Sequence, residues 1–207
     1  MTITEPATLL TDYLMAALAI AFAVILGRRR AAALHARWWS LGFLCLAASA
    51  LSGGTYHGFH ESLPPSVADG LWRGTLVLGS LTSFAVMAAA TVQWIAEARH
   101  KPWFALAALK LLIAVGVGLL RPDFVLVVVD FGLTCLFATV AGAVARERNP
   151  RSFRFLAAGV ALFMSGALIQ QARLSPHPAF NHNDLFHGVQ MLGNVCFFVS
   201  ARLGLSR

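Results

Sequence analysis

Long apolar segments separated by short charged strings run through the whole chain of 207 residues. Hydrophobic residues make up 58% of the chain and charged residues only 12%, against about 25% in soluble domains. Each apolar segment is close to the ~20 residues that a helix needs to cross the hydrocarbon layer of a bilayer. Lipid offers the backbone no hydrogen-bond partners, so such segments must be helices. The sequence therefore predicts an all-α, polytopic membrane protein.

The apolar segments predict a seven-transmembrane-helix bundle with short joins that contain proline and charge. The predicted spans cover about residues 9–27, 38–58, 67–95, 102–120, 123–145, 153–173 and 184–204. Since the joins are too short to hold a soluble domain, residues 1–207 are expected to form a single membrane domain.

Basic residues give the expected orientation, because cytoplasmic loops of membrane proteins carry an excess of arginine and lysine. Most of the 16 basic residues follow spans one, three, five and seven. Glu5 precedes the first span and Arg28, Arg29 and Arg30 follow it, the reverse of the charge order in a secretory signal peptide. We therefore expect an uncleaved first span, with the N-terminus outside and the C-terminus cytoplasmic. The excess of basic residues in the cytoplasmic loops also explains the net charge of +7 without a nucleic-acid partner. The Ala-, Leu- and Arg-rich composition suits a bacterial inner (plasma) membrane.

Polar and ionisable side chains collect at the predicted outer ends of spans two and seven. Span two ends in Thr55-Tyr56-His57-Gly58-Phe59-His60, Asp69 opens span three, and span seven opens with Asn181-His182-Asn183-Asp184-Leu185-Phe186-His187. Wet interfacial groups are one interpretation of these strings. Ionisable groups at membrane depth are costly, however, which makes them candidates for a functional site.

The histidines suggest zinc, because neutral imidazole is a common zinc ligand and a catalytic zinc site uses three protein ligands. His182 and His187 would supply two ligands and span two a third, either His57 or His60. The spacing of His182 and His187 would put them on different faces of one helix. His182 is therefore expected in the loop, with Asp184 or Asn181 capping the helix.

Further polar side chains would line such a site. Asp69, Asp12 or Asp184 could orient a ligand or act as a base. Gln190 follows His187 at helical spacing and continues a polar stripe on span seven, and Tyr56 lies on a similar stripe in span two.

Lys110 in span four and Asp130 in span five lie at similar predicted depth. Either charge alone would be costly inside a membrane, so a buried structural ion pair is expected.

The order of these motifs resembles the CREST superfamily, which includes alkaline ceramidases and the progestin and adipoQ receptors. Phe59-His60-Glu61-Ser62-Leu63 resembles the ceramidase string Phe-His-x-Thr-Leu. The resemblance implies a zinc-dependent membrane amidase fold, with one zinc histidine from span two and two from span seven. The family's serine, one helical turn before the span-two histidine, is replaced by Tyr56 or Gly53, with Ser52 nearby, and Asn183 stands at its first span-seven histidine.

Together these observations predict a zinc-dependent hydrolase of an amide or ester bond in a membrane lipid, with Asp69 and Ser52 as catalytic candidates. The first alternative is a non-catalytic sensor or binding protein with the same fold. A haem protein with His57 and His187 as axial ligands, and a transporter that uses the two polar stripes, are the remaining alternatives.

Overall fold

A computed structural model describes residues 2–28, 33–177 and 179–205, and these residues form seven α-helices and no β-strand. The helices are α1 Pro6–Gly27, α2 Leu34–Phe59, α3 Pro65–Trp94, α4 His100–Leu120, α5 Phe124–Val144, α6 Pro150–Gln171 and α7 His182–Leu203. Each helix coincides with one predicted apolar segment to within a few residues. Of the residues behind the predicted orientation, Arg29, Arg30 and Arg207 lie outside the described part of the chain.

Five helices in the described residues are long and apolar enough to cross a membrane: α1, α3, α4, α5 and α6. The other two, α2 and α7, carry more polar side chains. On α7 the polar side chains are buried inside the bundle and do not face the outside of the protein. They are Asp184, His187, Gln190 and Asn194.

Local chemistry sets where the helices begin. Proline occupies the first turn of α1, α3 and α6, where its missing N–H removes no intrahelical hydrogen bond. Asp123 caps α5 through the Val125 N–H, and Asn149 caps α6 through the Ser152 N–H. These signals allow very short joins between consecutive helices.

Six helices form a closed ring in the order α1, α2, α3, α5, α6 and α7, with α7 packed back against α1. The remaining helix, α4, packs outside this ring against α3 and α5. Within α4 only Ala107 and Gly118 are buried. We call the end of the bundle at which α1, α3, α5 and α7 begin the N-terminal end, and the opposite end the C-terminal end.

Aromatic side chains fill the ring towards its C-terminal end. The rings of Phe22 and Phe198 stack with centroids 4.2 Å apart, and Trp39 packs against Phe197 with centroids 5.9 Å apart. Trp39 Nε1 donates a hydrogen bond of 2.9 Å to Gln93 Oε1. This packing fills the interior near the C-terminal end, and Trp39 and Phe197 also line a cavity that extends from there towards the N-terminal end.

Candidate functional site

An elongated cavity of about 250 Å³ lies inside the ring of helices. Its wall on α7 runs from Asn183 to Phe197, which corresponds to roughly 21 Å at about 1.5 Å per residue. That length is about two-thirds of a hydrocarbon layer ~30 Å thick. Most of the wall is apolar, whereas the ionisable groups lie towards the N-terminal end. The strongly polar lining residues are Asp12, His57, Gln170, Asn183, His187, Gln190 and Asn194.

Asp12 reaches the cavity from α1, and two glycines of α2 make room for it. A Cβ at Gly54 would lie 2.8 Å from Asp12 Cβ, and one at Gly53 would lie 3.7 Å from Asp12 Oδ2. Asp12 is only 4% exposed, and no described residue donates a hydrogen bond to its carboxylate. A buried carboxylate without a partner is costly, and the imidazole of His187 is the described ionisable group that lies within ion-pair distance of it.

His187 of α7 is the nearest ionisable neighbour of Asp12. Thr11 Oγ1 lies 3.1 Å from the Thr8 carbonyl oxygen and 2.9 Å from His187 Nδ1. The other ring nitrogen, His187 Nε2, lies 3.4 Å from Asp12 Oδ1. At this separation the two side chains can share one proton, carried either by the ring or by the carboxyl group.

Asp184 joins the start of α7 to α1. Thr8 Oγ1 donates to Asp184 Oδ1 at 2.8 Å, and the Asn181 N–H donates to Asp184 Oδ2 at 2.7 Å. Asn181 Oδ1 in turn accepts from the backbone of α7, which completes a capping box. The carboxylate of Asp184 is therefore satisfied by hydrogen bonds and by the positive end of the helix dipole.

Glu5 precedes α1 and contacts His57 at the end of α2. His57 Nδ1 donates to Glu5 Oε1 at 3.3 Å. Burial raises the pKa of the Glu5 carboxyl, but the charge of His57 and hydrogen bonds from His57, Thr8 and Asn181 outweigh it and lower this pKa overall. The Thr4 N–H also donates to the Gly58 carbonyl at 2.9 Å, so the chain before α1 is tied to the last turn of α2, at the N-terminal end of the bundle.

Amide side chains complete the polar part of the cavity. Gln170 Nε2 donates to Asn183 Oδ1 at 2.8 Å, while Gln170 Oε1 is buried without a hydrogen-bond partner among the described residues. Gln190 Nε2 lies 3.5 Å from the Phe163 carbonyl oxygen. Gln170 and Asn183 line the same cavity as Asp12 and His187, and Asn183 and His187 are one helical turn apart on α7.

The two predicted catalytic candidates lie away from this cavity wall. Asp69 Oδ2 accepts from Arg73 Nε at 2.7 Å, and the Asp69 side chain is 53% exposed. Ser52 Oγ donates to the Leu71 carbonyl oxygen at 2.7 Å and links α2 to α3. Each has a local partner that accounts for its position.

Three further predicted residues also have contacts outside the cavity. The ring of His60 stacks on Tyr56 with centroids 5.1 Å apart, and His60 Nδ1 lies 3.2 Å from the Tyr56 carbonyl oxygen. His182 was predicted to lie in the loop, but Asn181 caps the helix and His182 is therefore the first residue of α7; its backbone N–H donates to Ser175 Oγ at 3.2 Å. Of the predicted zinc ligands, His57 and His187 are the two that line the cavity. Within the described ranges, no three His, Cys, Asp or Glu side chains are grouped closely enough to hold a metal ion.

Lys110 and Asp130 form an ion pair between α4 and α5, outside the ring interior. Lys110 Nζ also donates to Ser83 Oγ of α3 at 2.8 Å and to the Asp130 carbonyl oxygen at 3.3 Å. This cluster fastens the outlying helix α4 to the ring.

Thr8, Thr11 and Gln170 contact the site residues but were not among the residues predicted from the sequence. Thr8, Thr11 and Asp12 lie at positions i, i+3 and i+4, so a polar face on the predicted first span was visible in the sequence. Nothing comparable marks Gln170, whose role depends on where α6 meets α7.

No curated protein and no solved structure matches the chain. A family model matches residues 7–206, almost the whole length. The chain therefore belongs to that family, which is described as a family of unknown function (DUF6962).

Proposed function

We propose that this protein crosses a bacterial inner membrane seven times, with its N-terminus outside. Five helices meet the length and apolarity of a span, and the buried polar face of α7 explains why an inward-facing span would be less apolar. The basic residues that follow α1, α3 and α5 support this orientation. The N-terminal end of the bundle, with Asp12 and His187, then lies towards the outer face.

Within that bundle, we propose that the cavity binds a single-chain amphiphilic lipid. The observation that carries this proposal is the shape of the cavity: its mostly apolar wall covers roughly 21 Å along α7, and its ionisable groups lie at one end. Ligand sites are mostly apolar with a few placed polar groups, and this cavity has that distribution. The chain of the lipid would lie along Phe131, Phe163 and Phe197, and its head group would lie beside Asp12 and His187.

The test is native mass spectrometry of protein purified in a mild detergent, followed by identification of any released lipid. We expect a lipid-sized adduct at one per chain. Ala50 is buried and lines the cavity, so Ala50→Phe should fill the space and remove the adduct. Ala161 is exposed on α6, and Ala161→Phe serves as the matched control that should retain it. An adduct that survives Ala50→Phe, or no adduct on wild type, would contradict binding in the cavity.

Zinc-dependent hydrolysis of a lipid amide or ester is the second candidate. The observation that favours it is the 3.4 Å separation of His187 Nε2 and Asp12 Oδ1. Two ligands of a tetrahedral zinc ion with bonds of about 2.0–2.1 Å lie about 3.3–3.4 Å apart. Asp12 and His187 supply only two of the three protein ligands that a catalytic zinc site uses. A third ligand would have to move towards them, and His57, which lines the same cavity, is the residue that could supply it.

A bound zinc ion would polarise a substrate carbonyl and lower the pKa of an attacking water. In that reaction Asp12 and His187 would hold the ion, and Thr11 would fix the tautomer of His187 through its Nδ1 hydrogen bond. Elemental analysis of purified protein tests this candidate. The zinc candidate predicts one zinc ion per chain in wild type. The zinc content should be strongly reduced in His187→Ala and unchanged in His177→Ala, a variant in the loop before α7. Wild type without zinc would exclude the candidate.

A further inference from the structure

An exposed patch of positive charge lies at the C-terminal end of the bundle, in and beside the short join between α5 and α6. We call it the arginine patch, and it consists of Arg146, Arg148, Arg151 and Arg154. None of these four guanidinium groups forms an ion pair or donates a hydrogen bond within the described part of the chain. Elsewhere Arg73 pairs with Asp69 and Lys110 pairs with Asp130. The arginine patch therefore holds positive charge that the described residues do not balance.

Two of these arginines lie where a helix disfavours positive charge. Arg151 is in the first turn of α6, Arg154 follows it at i+3, and no acidic residue occupies that first turn. The start of a helix carries the positive end of its dipole, so it attracts anions and repels cations. The excess of basic residues in cytoplasmic loops explains why arginine occurs on this side of the bundle, but it does not require arginine at a helix start. A bound anion would offset the charge of the arginines and of the helix dipole together.

Hydrogen bonds hold the backbone of the join in one shape. Asn149 Oδ1 accepts from the Ser152 N–H at 3.1 Å, and Asn149 Nδ2 donates to the Leu203 carbonyl oxygen at 2.8 Å. The Arg148 N–H donates to the Ala145 carbonyl oxygen at 3.0 Å. The backbone that carries the arginine patch is thus fastened to both α6 and α7. Less conformational freedom is lost when such a surface binds a ligand.

Apolar side chains adjoin the arginine patch on the side of the apolar helix segments. Val144, in the last turn of α5, is 84% exposed, and Val140 one turn earlier is 56% exposed. Phe155 follows Arg154 on α6 and is also exposed. In a bilayer these side chains would contact acyl chains, while the guanidinium groups would lie at the level of the lipid phosphates. Charge beside apolar surface suits a phospholipid better than it suits a soluble anion.

We propose that the arginine patch binds the phosphate groups of an anionic phospholipid in the cytoplasmic leaflet. The choice of leaflet rests on the proposed orientation of the bundle. A guanidinium can donate two parallel hydrogen bonds to one phosphodiester, and basic sites on the cytoplasmic side of membrane helices bind anionic head groups. Four guanidinium groups suffice for two phosphodiesters, so cardiolipin, which has two, binds more tightly than phosphatidylglycerol, which has one. This site is separate from the cavity, whose ionisable groups lie towards the opposite end of the bundle.

Native mass spectrometry of full-length protein in a mild detergent tests the inference with three lipids: cardiolipin, phosphatidylglycerol and phosphatidylcholine. Wild type should bind cardiolipin about tenfold or more tightly than phosphatidylcholine, with phosphatidylglycerol between them. Inorganic phosphate should displace cardiolipin no better than chloride does at the same ionic strength. Wild type without a preference for cardiolipin over phosphatidylcholine would refute the inference, whatever the variants below do. Specific displacement by inorganic phosphate would also refute it, because the site would then be one for a soluble anion.

Two quadruple variants remove the same charge from the same end of the bundle. The patch variant should lose about thirtyfold or more in affinity for cardiolipin, and it carries Arg146→Gln, Arg148→Gln, Arg151→Gln and Arg154→Gln. The control variant changes exposed basic residues in and beside the other two joins at this end and should bind cardiolipin nearly as wild type does; it carries Arg28→Gln, Arg37→Gln, Arg99→Gln and Lys101→Gln. Unchanged binding in the patch variant, or an equal loss in both variants, would overturn a site at the arginine patch.

Two further results separate this inference from the proposals above. Ala50→Phe, which fills the cavity, should leave cardiolipin binding unchanged. Loss of cardiolipin in Ala50→Phe would mean that this lipid occupies the cavity, and it would overturn binding at the arginine patch. A reporter fusion at Arg151 that reads external would overturn the orientation and with it the cytoplasmic leaflet, whereas the preference among the three lipids tests the arginine patch itself.

Discussion

Lys110→Met should destabilise the bundle more than the double variant Lys110→Met with Asp130→Leu. Lys110 Nζ donates to Asp130 Oδ1, to the Asp130 carbonyl and to Ser83 Oγ, so methionine removes every donor to that carboxylate. Asp130 Oδ2 already has no hydrogen-bond partner among the described residues, and Asp130 is 5% exposed. The single variant therefore leaves an uncompensated buried carboxylate.

The magnitude follows from the burial of the pair. Removing one partner of a buried ion pair costs about 3–5 kcal/mol, whereas replacing both by apolar residues is often neutral. We expect Lys110→Met to lose about 3 kcal/mol or more, and the double variant to recover about 2 kcal/mol or more of this loss. The leucine can pack against the apolar stem of the methionine, so the seam between α4 and α5 stays closed.

The assay is reversible unfolding in mixed micelles of a mild detergent and dodecyl sulfate, followed by circular dichroism. Lys101→Met is the matched control, because Lys101 is exposed in the first turn of the same helix. It should change the free energy of unfolding little. Additive losses in the double variant would refute the reasoning, since they would mean that the two side chains do not depend on each other.

Three further predictions address packing, charge and topology. Gly54→Ala should lower stability by about 1–3 kcal/mol, because its Cβ would lie 2.8 Å from Asp12 Cβ, while Gly70→Ala, with open space around it, should not; thermal unfolding measures both. The pKa of Glu5 is lowered from its ordinary value of 4.5, so its stabilisation is present above that value and is lost as the pH falls through the lower, folded-state value. Glu5→Gln should therefore lose less stability than wild type on acidification below pH 4.5, and equal acid sensitivity would contradict the Glu5–His57 contact. Reporter fusions at Lys101 and Arg151 should read cytoplasmic, and reporter fusions at Pro65 and His177 should read external.

The helices could be predicted because their signals are local. Apolar segments of span length and proline at the start of α1, α3 and α6 mark the helix positions without reference to the rest of the chain. The inward face of α7 was also visible, since His187, Gln190 and Asn194 recur at helical spacing and all three are buried.

The make-up of the site depended on contacts that the sequence pattern does not contain. Asp12 faces His187 only because α7 closes the ring against α1. Periodicity assigns a face to each helix but does not say which helices are neighbours. The choice between His57 and His60 had the same origin, since only the exact end of α2 decides which ring faces the cavity.

The sequence around Asp69 contains a local signal that disfavours its predicted catalytic role. Arg73 lies four residues after Asp69 on α3, the spacing at which opposite charges pair on a helix surface. That partner keeps Asp69 on the outside of α3, and the carboxylate nearest His187 is instead Asp12. For Lys110 and Asp130 the sequence was sufficient, because two opposite charges at similar depth in adjacent spans have few other partners.

An electron-density map of the protein crystallised from a lipidic phase would test the central claim most directly. The claim predicts continuous elongated density along the cavity, with a head group between Asp12 and His187 and a tail that ends near Trp39. An isolated strong peak between Asp12 and His187, with metal-like anomalous scattering and no tail, would favour the zinc candidate. A cavity filled by rearranged side chains would contradict lipid binding altogether.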